Sequence, residues 1–125
     1  MGYNRRMTIV TMLAFALALA SPAAAPTPGP SFLDLETGAQ TVAADARAGK
    51  WDAAQQQFGA LQRNWTVLEP RVHNVAGAPP HIHSMQAGLA RLKAAVAQKS
   101  VTNTAQAAQT VSTAAHDLML DVGKQ

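Results

Sequence analysis

The stretch WDAAQQQFGALQRNWTVLEPRV, residues 51–72, decides the fold. Its apolar residues fall at Trp51, Ala54, Phe58, Leu61, Trp65, Leu68 and Val72. The steps alternate three and four. That spacing puts them on one face of an α-helix, in the seam of helices that pack nearly parallel with a left-handed twist. The same alternation recurs on both sides of it. Downstream it runs through Ile82, Met85, Leu89, Leu92 and Val96, and upstream through Phe32, Leu35, Ala39, Val42 and Ala46. In the last segment Val101, Thr104, Ala108, Val111, Ala115, Leu118 and Val122 follow it more weakly. No segment shows the sustained period-two alternation of a strand.

The punctuation between these stripes predicts four helices. Ser31 precedes Asp34 by three, a capping-box-like start after Pro30. Gly49 suits a helix C-terminal cap. Pro79 and Pro80 fit the first turn of the third helix, with Ser84 as an alternative cap that leaves His81-Ile82-His83 in the loop. Ser100 and Thr102 can open the fourth helix and Gly123 can close it. Pro70 either kinks the second helix or ends it near Leu68. The links are short, so neighbours should run antiparallel. The expectation is all-α: an up-down-up-down antiparallel four-helix bundle over residues 31–123. Its first and last helices contribute mostly alanine, so Trp51, Phe58 and Trp65 supply much of the bulk. Both tryptophans are expected in the core, where truncation to alanine costs about 3–5 kcal/mol.

The first 23 residues have the order of a secretory signal peptide. Arg5 and Arg6 form a positive region, Thr8 to Ala20 is an uncharged apolar run, and small residues follow. That run is short for a bilayer span, which takes about 20 residues. Cleavage fits after Ala20 or Ala23, and less well after Ala25, where Pro26 follows. Arg5-Arg6 also loosely resembles a twin-arginine export signal. Residues 24–30 read as a proline-rich spacer. The expectation is an exported protein, periplasmic or extracellular, held to a membrane only if the leader is not removed.

Removing the leader changes the charge. The chain has ten Lys and Arg against seven Asp and Glu. Two of the basic residues and none of the acids lie in the leader, so the remainder is close to neutral. Bulk charge therefore gives no case for nucleic-acid or anionic-membrane binding. There is no cysteine, so packing alone must hold an exported chain together.

Three of the four histidines fall within HNVAGAPPHIH, residues 73–83. Counting outward from each turn of the bundle brings His73, His81, His83 and His116 to one end. Glu69, Asp34, Asp117, Asp121, Met85 and Met119 come with them, and Lys50 and Lys99 mark the other end. The leading expectation is that these are solvated loop and helix-end histidines. The alternative is a copper or zinc site built from them, since imidazole suits both metals and thioether selects Cu(I). His81 and His83 chelate together only if the backbone there is extended; on a helix they stand about 200° apart. Haem is a third candidate, because size and architecture look like the cytochrome b562 type. It is disfavoured because His73, His83 and His116 lie off the seam and Met85 has the spacing of a core residue.

Catalytic signatures are missing from the sequence. Glu36 and Glu69 are the only glutamates, too few for a di-iron carboxylate site. No HExxH, phosphate loop or G-x-S-x-G motif occurs. The chain is expected not to be an enzyme.

GKWDAAQQQFGALQRNW, followed after a histidine-bearing loop by HIHSMQAGLARLKAAVAQKS, resembles a family of small exported or membrane-anchored helical proteins of unknown function. Trp51, Ala54, Trp65, His81, Leu89, Leu92, Lys93 and Val96 carry the likeness, over roughly residues 49–110. The segment Ala76–Pro80 and the cleavable-looking leader depart from it. The resemblance implies a helical fold and export, and no activity. The functional expectation is a non-enzymatic bundle with a binding or structural role in the periplasm or cell envelope, its partner an envelope protein or a small ligand. The faces carrying Gln55–Gln57 and Thr102–Thr113 offer polar surface for it.

Overall fold

A computed structural model of the chain describes residues 30–125. The leader, residues 1–23, and the spacer up to residue 29 lie outside the described residues. Four helices follow one another: α1 (Phe32–Arg47), α2 (Trp51–Val72), α3 (Pro79–Ala97) and α4 (Val101–Gly123). There is no strand among the described residues. The all-α four-helix expectation holds.

Local chemistry sets the ends. The Ser31 side chain accepts from the Asp34 N–H at 3.3 Å, and the Asp34 carboxylate accepts from the Ser31 N–H at 2.8 Å, a full capping box. Ser100 caps α4 by accepting from the Asn103 N–H. The two tight turns are built alike. The N–H of Gly49 bonds to Ala46 O and that of Lys50 to Asp45 O; the N–H of Lys99 bonds to Val96 O and that of Ser100 to Ala95 O. This is the Schellman pattern, which needs a left-handed residue just past the helix. Gly49 fills that place at φ +74°, and Lys99 at φ +56°.

Pro70 lies inside α2, which runs on to Val72. Leu68 and Val72 are both buried, so the core grips the last turn on either side of the proline.

Each helix meets its neighbours in a ring. α4 packs closely on α1 and α3, α1 on α2, and α2 and α3 meet least closely. Interaxial distance follows the side chains at the contact. Alanine makes up about half of the inward faces of α1 and α4, whereas α2 turns Phe58, Leu61, Trp65 and Leu68 inward. The antiparallel sense shows in contacts across the hairpins. Leu61 approaches Gly38, Val111 approaches Gly88, and Gln86 donates to Glu69.

The largest fully buried side chains are Leu35, Leu61, Leu68, Met85, Leu92 and Leu118. Trp65 joins them, but Trp51 is only partly buried at the core's margin. Val101 and Val122 also depart from the expected seam, each 42% exposed, while Asp121 is buried at 5%. Val101 is the first residue of α4. Glu36 lies level with His116, so α1 begins roughly one turn short of the end of α4. The final turn of α4 therefore has α3 and its preceding loop beside it but not α1. No described helix is long and apolar enough to cross a membrane.

Candidate functional site at the histidine pole

The four histidines lie at one end of the bundle but divide among separate partners. His73, just past α2, has Nε2 3.5 Å from Glu69 Oε2, one turn back. His116 on α4 has Nδ1 3.6 Å from Glu36 Oε2 on α1. That glutamate oxygen is buried without a hydrogen bond. His83 lines a shallow pocket of about 250 Å3 with Glu69, His73, Pro79, Ile82 and Gln86. His81 faces the other way, toward α4.

The helix start explains this division. α3 begins at Pro79, not at Ser84, so His81 and His83 are both helical and stand about 200° apart. The extended backbone that a His-x-His chelate needs is not formed. Met85 is fully buried in the core, which removes its sulfur from the pole's surface. Among the described residues no three His, Asp or Glu side chains are arranged to hold a metal ion.

His81 makes the tightest polar contact of the pole. Its Nδ1 lies 2.6 Å from Asp121 Oδ2, and its Nε2 3.7 Å from Asp117 Oδ2. Asp121 is nearly buried, whereas His81 and Asp117 are about a third exposed. Asp117 and Asp121 are four apart on α4 and so share a face. The other oxygen of Asp121 is turned toward Gly77, where an added Cβ would lie 3.4 Å from it. Gly77 has φ +83°, so the loop passes the carboxylate in a conformation that suits glycine.

Electrostatics gives this contact a structural purpose. α3 has no side-chain cap at Ala78 and no acid in its first turn. A helix N-terminus favours a negative charge, and a C-terminus disfavours one. Asp121 sits at the unfavourable end of its own helix but faces the start of α3, where it supplies the missing anion. Counting outward from the turn at Lys99 places His81 opposite the segment that holds Asp117 and Asp121. Topology thus gathers these residues at the pole, and the helical start at Pro79 pairs them.

A second pocket of about 250 Å3 opens beside Asp117, lined also by Ser84, Gln109, Thr110, Thr113 and Ala114. A larger groove of about 410 Å3 lies between α3 and α4 toward the other end of the bundle. It has an alanine floor with Arg91, Gln98, Asn103 and Gln106 around it.

No protein-family model, no curated protein and no solved structure matches this chain.

Proposed function

We propose that this chain is an exported, non-enzymatic helical bundle with a binding or structural role in the periplasm or cell envelope. The observation that carries the reading is the order of the first 31 residues. A positive start, an uncharged apolar run, small residues and a proline-rich spacer lead into the capping box at Ser31. Every candidate cleavage point lies upstream of that cap, so removal of the leader leaves all four helices whole. The cysteine-free core, closed by packing among α1 to α4, suits an oxidising compartment without depending on it. The resemblance of residues 49–110 to small exported helical proteins points the same way.

The test is a fusion of residues 1–30 to a phosphatase that is active only outside the cytoplasm. High activity in a bacterial host, lost when Leu13 and Leu17 are changed to Arg, supports export. Equal and low activity from both fusions overturns it.

A second reading, copper or zinc binding at the histidine pole, is favoured by one observation. His81 is held through Nδ1 by a buried carboxylate, with its other nitrogen 3.7 Å from the partly exposed Asp117.

A further inference from the structure

Charge is unevenly spread along the chain. Between Glu69 and Asp117 there is no acid, while Arg71, Arg91, Lys93 and Lys99 fall there. The last three lie on the half of the α3–α4 hairpin that leads into its turn. Every ion pair among the described residues is made by a histidine, so Arg91, Lys93 and Lys99 have no carboxylate partner. A hairpin with cations and no acid attracts anions there, even though the chain after the leader is close to neutral.

The groove between α3 and α4 lies on this stretch. Gly88 brings the two helices together at Thr110 and Val111. Toward the turn, the short side chains of Ala95 and Ala107 form the floor and leave the space above them open. Arg91 and Gln98 are about two turns apart on α3, so the groove is about 10 Å long. Its volume of about 410 Å3 falls within the range of about 300–1,000 Å3 found for small-molecule sites. Arg91 is the charged residue of the lining, and Gln98, Asn103 and Gln106 supply side-chain amides. A guanidinium presents a planar fork of donors that fits a carboxylate with two hydrogen bonds. Each amide offers both a donor and an acceptor, which suits a peptide group. Lys99 adds a second cation directly after Gln98. It is held at φ +56°, where the matching turn has Gly49, so a positive side chain is kept at the end of the groove in a backbone conformation that disfavours it.

We infer that the α3–α4 groove binds a short peptide with small side chains and a free C-terminal carboxylate, held at that carboxylate by Arg91. An extended peptide advances about 3.3 Å per residue, so 10 Å takes about three. The amides of Gln98, Asn103 and Gln106 meet its peptide groups, and its small side chains rest on the alanine floor. The inference rests on the binding role proposed above and gives it a ligand class; it does not depend on export.

The experiment is an NMR titration of the purified protein with N-acetyl-alanyl-alanine, read at the backbone amides of α3 and α4 and at the side-chain amides of Gln98, Asn103 and Gln106. Saturable shifts at these positions are expected, with a Kd on the order of 1 mM for a ligand of this size. The same compound with its carboxylate converted to an amide should bind about 10–100-fold more weakly, and so should the acid to Arg91→Gln. Lys99→Gly should weaken binding about 2–5-fold. Arg63→Gln, which removes an exposed cation on α2, should bind as the parent does. Equal weakening in Arg91→Gln and Arg63→Gln, or equal binding of the acid and its amide, overturns the site. Inorganic phosphate shifting the same resonances as strongly as the peptide makes the groove a general anion site and overturns the peptide class. No shift in the groove at about 20 mM peptide, well above the expected Kd, overturns the inference and leaves the export reading to its own fusion test.

Discussion

Asp121 Oδ2 lies 2.6 Å from His81 Nδ1, joining the last turn of α4 to the first turn of α3 across forty residues of sequence. The contact closes the histidine pole at the start of α3, which has no side-chain cap of its own. A hydrogen bond to a charged group contributes about 1.5–3 kcal/mol. Asp121→Ala should lower the stability of the bundle by that amount in urea denaturation. Asp117→Asn, on an exposed side chain, should cost under about 1 kcal/mol. Equal losses from both would mean that the buried pair has no special weight.

The approach of α3 to α4 depends on Gly88. A Cβ there would meet Thr110 Cγ2 and Val111 Cγ2, each at 3.0 Å, and the Val111 backbone nitrogen at 3.3 Å. Gly88→Ala should destabilise by about 1–3 kcal/mol, because the two helices must move apart. Gly59 makes the opposite case. It is also mid-helix, but an added Cβ meets only the end of the Arg63 side chain at 3.4 Å. Gly59→Ala should stabilise by about 0.5–1 kcal/mol through helix propensity. Thermal melts of the two variants should therefore move in opposite directions.

The two Schellman turns differ in one residue that matters. Gly49 adopts the left-handed conformation without strain, whereas Lys99 adopts it with a side chain. The left-handed region costs a non-glycine residue about 1–2 kcal/mol, offset in part by the greater freedom of glycine in the unfolded chain. Lys99→Gly should raise the denaturation midpoint, with a gain of up to about 1 kcal/mol. A fall would show that the Lys99 side chain makes a contact that outweighs the strain.

Thr104 is fully buried in α4, and its hydroxyl has no hydrogen-bond partner. Thr104→Val keeps the branched shape and removes the unpaired group. It should stabilise by about 1 kcal/mol or more. A loss of stability in the same assay would mean that the hydroxyl is bonded in solution.

The fold was legible because one spacing runs through most of the chain. A three-four alternation in residues 51–72 is enough to define a helix and its buried face, and short links then restrict the arrangement. Ser31, Gly49 and Ser100 marked their helix ends because each uses a side chain, or lacks one, for a local reason. Lys99 gave no such signal, since its backbone is set by the turn and not by its own preference. Trp51 and Val122 look like seam residues but lie at margins, where burial depends on how far the neighbouring helices extend. At the pole, composition and topology gathered the histidines and acids. The length of α3 then decided which of them meet. A start at Pro79 sends His81 to α4 and His83 to the pocket beside α2, a choice the dipeptide Pro79-Pro80 favoured but HIHS left open.

The most direct test of the account is the intact mass of the chain recovered from the envelope fraction of a bacterial host. The expected species begins at Ser21, Ala24 or Pro26 and keeps the whole of residues 31–125. A chain that still begins at Met1 or Gly2, found only in the cytoplasm, would contradict it.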